Sequence, residues 1–287
     1  MTTGPGDRRV RIYEVGPRDG LQNEAVAIPT ATKLRFIELL VDAGLPDRHG
    51  IRFLVLVPNE RGLARAEAAG VDAIAVFTGA TDAFTEHNIG MTIDASLAAF
   101  APVLARAEEH GWWRRAYVST AFGCPYTGRV DPRDAIEVAI RLMALGVDEI
   151  CFGDTIGVGV PAQVTELVEL AVEAGIPVGR QAYHFHDTRG TALANVTAGL
   201  AAGVRTFDSA AGGTGGCPYA PGAAGNLATE DLVYLLDASG YEHGVSLEGV
   251  LAAARFIAEA LGKPLATKVG QAGGWDGETG QAIGRAD

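Results

Sequence analysis

Short apolar runs rich in β-branched residues recur along the chain, and after each one the apolar positions change to a spacing of three and four. The runs RIYEV (11–15), RFLVLV (52–57), AIAVF (73–77), AYVST (116–120), EICFG (149–153), AYHFH (182–186) and TFDSA (206–210) read as strands. Helical patterns occupy 30–44, 60–70, 92–111, 131–146, 161–175, 190–203 and 228–240, several closing on a glycine just past the last turn. Asp131 followed by Pro132 suits a helix start, since proline is pre-shaped for the first helical position and its missing N–H costs nothing there. Strands alternating with helices, without a break in composition, predict βαβ units on a parallel sheet. The repetition favours a TIM-type (β/α) barrel. A doubly wound open sheet is the competing architecture, but no GxGxxG follows the first strand.

The count is seven strands, where a closed barrel of this type has eight. The shortfall lies between the first helix and RFLVLV, where GLPDRHG (44–50) supplies a turn and nothing more. A βα unit needs roughly 30 residues. The expectation is therefore a seven-stranded or incomplete barrel over residues 1–272, with an additional C-terminal helix at 246–262. Residues 273–287, polar and glycine-rich, read as a flexible tail.

Composition narrows the setting. The chain has 287 residues, 48% hydrophobic and 20% charged, enough for one large core. A formal net charge of −12 argues against nucleic acid or an anionic membrane as a bulk partner. Cys124, Cys151 and Cys217 are widely spaced and form no CxxC, which suggests a reducing compartment. No signal peptide and no run of about 18 apolar residues is present, so the expected location is the cytoplasm.

Candidate chemistry gathers after the strands. In HFHD, His184 and His186 lie two apart on a predicted strand, on one face and roughly 6.6 Å apart along it. Two imidazoles so placed can converge on one ion; the alternative is a pair of hydrogen-bonded histidines. After the first strand, GPRDGLQNE brings Arg18, Asp19 and Gln22. The last strand is followed by AAGGTGGCPYAPGAAGN, ending at Asn226. Asp19, His184, His186 and Asn226 form an N/O donor set suited to an octahedral divalent ion with positions left for substrate and water. Alone, Asp19 in an Asp-Gly pair would be a turn residue. Arg18 beside it would bring a planar cation to an enolate or carboxylate oxygen. Cys217 sits among six glycines and two prolines between 212 and 225, a context unlike a packed core position, and its thiol could carry a proton.

YEVGPRDGLQNE, FGCPYTGRV, GDTIGVGVP, HFHDTRGTALANV and GGTGGCPYAPGAAGNLATEDLVYLL together make the chain resemble the 3-hydroxy-3-methylglutaryl-CoA lyases, from about residue 10 to 272. These belong to a superfamily of metal-dependent lyases and Claisen-condensing TIM barrels. The resemblance implies cleavage of 3-hydroxy-3-methylglutaryl-CoA, or a close 3-hydroxyacyl-CoA, to acetyl-CoA and acetoacetate. It also implies Mg²⁺ or Mn²⁺ on Asp19, His184, His186 and Asn226, and a homodimer. On the same basis Arg18 would stabilise the thioester enolate and Cys217 would return a proton to it. Gln22, Asp154 and Glu230 match positions the family uses around its site. Asp154 joins Arg18, Cys217 and His184 on the catalytic side; Gln22 and Glu230 join Arg18 on the substrate side. Arg114, Arg115, Arg129 and Lys268 are basic candidates for CoA.

The family barrel also has a second strand carrying an acidic residue close to the site, and here that strand has no counterpart. Glu14, Glu24 and Glu60 lie in other motifs, and none is assigned the missing role. Two other readings remain at this point: a chain that binds metal without turnover, and an acyltransferase of the isopropylmalate or homocitrate synthase type. The cysteine-bearing GGCPYAPGAAGN resembles the lyases rather than those synthases.

Overall fold

The computed structural model describes residues 8–45, 54–215, 224–265, 267–275, 279 and 281–284. It divides into two compact units, the first including Arg52–His184 and Ala194–Arg205, the second including Gly4–Ile51, Phe185–Leu193 and Thr206–Asp287.

The first unit repeats strand and helix. β2 (Val55–Leu56), β3 (Ala73–Gly79), β4 (Trp113–Ser119) and β5 (Glu149–Asp154) pair in parallel, each with the next. Between them lie α2 (Glu60–Ala69), α3 (Asp82–Ile89), α4 (Ile93–Glu109) and α5 (Pro132–Ala144), and α6 (Pro161–Glu173) leads on to β6 (Gln181–Phe185). β3 and β5 are buried nearly throughout, as apolar runs in a covered parallel sheet must be. Side-chain caps explain the helix starts: Asn59, Thr81, Thr92 and Asp131 each accept a hydrogen bond from a first-turn N–H. Helix α3, absent from the sequence expectation, is short and mostly polar, so its start is carried by Thr81 rather than by an apolar stripe. β4 begins at Trp113, three residues before the predicted run. Arg114 and Arg115 hide its first half in the sequence. In the sheet, Arg115 stands in register with Glu149 of β5 and pairs with it at 3.2 Å.

The second unit holds β1 (Arg11–Glu14) paired in parallel with β7 (Thr206–Ser209), and the helices α1 (Thr30–Asp42), α8 (Thr229–Ala238), α9 (Leu247–Leu261) and α10 (Lys268–Ala272). The start of α7 (Ala192–Ala201) is capped by Asp187, whose Oδ1 accepts from the Ala192 N–H at 3.0 Å. Gly249 of α9 faces Ala43 at the end of α1 so closely that a Cβ would lie 2.9 Å from the Ala43 Cα; the two helices meet only because residue 249 is glycine. In the predicted tail, β8 (Gly274–Trp275) pairs antiparallel with β9 (Ala282–Ile283), and Arg255 Nη1 donates to the Gly284 carbonyl at 2.9 Å.

Strand order through the sheet is β1-β7-β6-β5-β4-β3-β2, the seven strands of the (β/α)-barrel reading. β1 and β2, the strands that flank the missing βα unit in the sequence, stand at the two ends of that order. Among the described residues no single helix is long and apolar enough to cross a membrane.

Candidate metal centre and active site

In the second unit β1 runs directly into a wide π-helical turn, Gly16–Gly20, in which the N–H groups of Arg18, Asp19 and Gly20 all donate to the Val15 carbonyl. The glycines of GPRDG are there for space. A Cβ on Gly20 would lie 2.3 Å from Thr214 Oγ1, and one on Gly16 would lie 2.5 Å from Glu14 Oε1. The turn sets Arg18 and Asp19 side by side, with Arg18 Nη1 on Asp19 Oδ1 at 2.9 Å and the arginine the more exposed of the two.

A second segment meets this turn. The Asp187 N–H donates to the Gly225 carbonyl at 2.6 Å and the Leu227 N–H to the Phe185 carbonyl at 3.0 Å, so His186 and Asn226 lie opposite each other on an antiparallel bridge. Buried Asn226 donates from Nδ2 to Asp19 Oδ2 at 3.2 Å and to the Thr214 carbonyl at 3.0 Å. Its Oδ1 is buried and receives no hydrogen bond, a costly state for a carboxamide oxygen unless something else takes the lone pair. Asp19 and His186 offer ligand atoms within 4.8 Å of each other. A carboxylate, an imidazole and an unclaimed amide oxygen suit a hard divalent cation. His184, on the same strand face as His186, is the last residue of the first unit, where Tyr117 meets its ring edge-on at 6.4 Å between centroids.

The second unit also holds three largely enclosed acids, half-buried Glu14 and buried Glu230 and Asp231. Glu14 accepts from the N–H groups of Gly16 (2.7 Å) and Ala211 (3.0 Å) and from the Thr229 hydroxyl (2.7 Å). Desolvation outweighs these donors and lifts its pKa from 4.5 to about 7. Glu230 is fully buried, accepts from the Thr267 hydroxyl (2.7 Å) and the Gly212 N–H (3.0 Å), and is likewise raised by burial to about 7. Asp231 is raised too, again first by burial, while accepting from the N–H groups of Lys268 and Val269.

Other predicted residues fall in different surroundings. Gln22 is exposed. Asp154 ends β5 in the first unit, fully buried, its two oxygens accepting from the Val158 (2.9 Å) and Gly159 (2.8 Å) N–H groups and so shaping the GDTIGVG turn. Cys217 lies outside the described residues. Of the basic candidates for CoA, Arg115 is fully buried against Glu149, and Arg114, its side chain 11% exposed, pairs with Asp148 and Glu108. Neither is free to meet a phosphate. Glu14 is the residue that sequence reading passed over. Its signal was a carboxylate on the same strand face as buried Ile12, two residues from it.

Comparison with known proteins bears on this geometry. A model of the HMGL-like family matches residues 49–257. The chain is 43% identical to the hydroxymethylglutaryl-CoA lyase of Pseudomonas mevalonii, over 92% of this chain and 96% of that protein. It is also 43% identical to a rat 3-hydroxy-3-methylglutaryl-CoA lyase described as cytoplasmic, over 92% of this chain and 84% of that one. Among solved structures, the hydroxymethylglutaryl-CoA lyase of Pseudomonas aeruginosa superposes with a TM-score of 0.89 at 41% identity, covering 93% of this chain and 97% of that one. An HMG-CoA lyase from Acinetobacter baumannii, solved with coenzyme A and 3-methylmalate, gives a TM-score of 0.86 at 30% identity, over 95% and 97% of the two chains. The P. mevalonii alignment spans 290 positions but uses only 92% of this chain's 287 residues, so about 26 positions of the relative face a gap. That is close to the size of one βα unit.

Proposed function

This chain belongs to the HMGL-like family, and on that premise we propose that it cleaves 3-hydroxy-3-methylglutaryl-CoA to acetyl-CoA and acetoacetate at a divalent-metal centre. The observation that carries the reading is 43% identity to a lyase of that name along 92% of the chain. The unclaimed Oδ1 of Asn226 beside Asp19 and His186 agrees with it.

Asp19, His184, His186 and Asn226 are the proposed ligands of Mg²⁺ or Mn²⁺, the strand alternation of His184 and His186 turning both imidazoles one way. The bound ion would supply Lewis acidity to the substrate's hydroxyl and carboxylate oxygens. Once the C3 hydroxyl has given its proton up to solvent, the C2–C3 bond breaks. Its electron pair passes to C2 as the thioester enolate, and C3 becomes the ketone of acetoacetate. Arg18, exposed at the turn, would hold the enolate oxygen, and the Cys217 thiol would return a proton to C2. Gln22 and Glu230 are read as substrate-side groups and Asp154 as a catalytic-side one, with the last two acting through the loops they hold. Further parts of the reading are a single catalytic domain over 1–272, a homodimer, an acyl-CoA substrate with no nucleic-acid or membrane partner, and residence in the cytoplasm.

The test runs two reactions on the purified chain. Metal-dependent release of acetoacetate from 3-hydroxy-3-methylglutaryl-CoA supports cleavage. Release of free CoA from acetyl-CoA plus a 2-oxo acid, without cleavage, would favour the synthase type. The gap of about 26 positions supports a second reading, metal binding without turnover, for which both reactions would be silent while Mn²⁺ still bound.

A further inference from the structure

Gly215 has no room for a side chain: a Cβ there would come within 2.8 Å of Asn226 Nδ2 and 3.1 Å of Gly20 Cα. At φ +93° its backbone lies in the region that favours glycine, and its N–H meets a partner from a distant part of the chain. That partner is Glu24, whose Oε1 accepts from Gly215 N–H at 3.3 Å. Only 6% of the Glu24 side chain is exposed, and its other oxygen is paired with Lys263 Nζ. The end of α9 presents that lysine: Gly262 turns left-handed at φ +64°, and the Lys263 N–H donates back to the Ala258 carbonyl at 3.0 Å. One residue before Gly215, the Thr214 carbonyl accepts from Asn226 Nδ2 at 3.0 Å. The Thr214–Gly215 peptide is thus pinned on one side by Asn226 and on the other by Glu24.

We propose that Glu24, backed by Lys263, is a positioning residue for the metal centre. It fixes the Thr214–Gly215 stretch and, through it, the carboxamide of Asn226 against Asp19. The inference rests on reading Asp19, His186 and Asn226 as metal ligands. It assigns Glu24 no contact with substrate or ion.

Mn²⁺ affinity of the purified full chain, read by the electron paramagnetic resonance signal of the free ion, tests it alongside thermal unfolding. Glu24→Ala should bind Mn²⁺ about 10–100-fold more weakly, the range found when a partner behind a ligand is removed. Glu24→Gln keeps an oxygen for the Gly215 N–H and should stay within about threefold of wild type, a rescue that a general loss of packing would not give. Lys263→Ala should fall between the two. Asp19→Ala is the control. If Asp19→Ala loses Mn²⁺ while Glu24→Ala and Lys263→Ala bind as wild type does, the positioning role is overturned and the ligand reading stands. If Asp19→Ala itself binds normally, the ligand reading fails first. Should Glu24→Ala not fold, Lys263→Ala against Glu24→Gln gives the same decision: equal, undiminished affinity in both overturns the proposal.

Discussion

The two units hold buried charge by different means. In the first, Arg115 and Glu149 are both inside, and the sheet register sets them opposite each other as an ion pair, with the guanidinium also over the Tyr117 ring at 4.9 Å. Asp154 is satisfied by two amides of its own turn. In the second, Glu14 and Glu230 accept from hydroxyls and backbone N–H groups, with no guanidinium or ammonium on them among the described residues, and burial lifts both to about 7. An ion pair fixes a fold and does little else. Carboxyls raised towards neutrality, one of them accepting from Gly16 of the turn that carries Arg18 and Asp19, set the second unit apart.

Substitutions should therefore separate activity from stability. The largest effect expected is on turnover. Asp19→Ala should lower acetoacetate release by more than about 100-fold, beyond what loss of an outer partner does. It should cost about 1–2 kcal/mol in urea unfolding, since its ion pair with Arg18 is exposed but the Nδ2 of buried Asn226 loses an acceptor. A stability loss as large as the activity loss would erase the contrast between the units. Next, Arg115→Met strands the Glu149 carboxylate and should cost about 3–5 kcal/mol, whereas replacing both partners by apolar residues should recover most of it. A third test uses pH. A carboxyl with a folded pKa near 7 and an ordinary value of 4.5 keeps its proton when folded over a range where the unfolded chain has lost it. Stability contributed this way is present below about 4.5 and is lost as pH rises towards 7. Glu230→Gln should flatten that fall, by at most on the order of 3 kcal/mol, seen as about one fewer proton released on unfolding. An unchanged slope would mean Glu230 is already ionised in the folded chain. Smallest is Asn59→Ala, which removes the cap of α2 and should cost about 1 kcal/mol with turnover untouched.

Much of this was legible in the chain. Apolar runs gave the seven strands because parallel strands covered on both faces must be apolar throughout, and Ala73–Gly79 is an example. Where charge enters a strand the signal fails: Arg114 and Arg115 made β4 look three residues shorter, since a partner such as Glu149 becomes visible only once register is known. Asp19, His186 and Asn226 were legible as donor types, and Asp19 lies beside both of the others. The roles of Glu14 and Glu24 were not. Nothing in a lone glutamate says whether water, a lysine or a glycine amide will surround it; that is decided by Ala211 and Thr229 for one and by Gly215 and Lys263 for the other, about 190 residues or more away. The gap before RFLVLV showed as a missing period, and the alignment as a whole leaves about 26 positions of a relative unmatched.

The most direct test is acetoacetate release from 3-hydroxy-3-methylglutaryl-CoA by the purified chain, followed with Mg²⁺ or Mn²⁺ and again after EDTA. The account predicts turnover that stops on chelation and returns with either ion. Folded, Mn²⁺-binding protein that releases no acetoacetate would contradict it, and would mean that a chain lacking about 26 positions of its relatives keeps their metal centre without their chemistry.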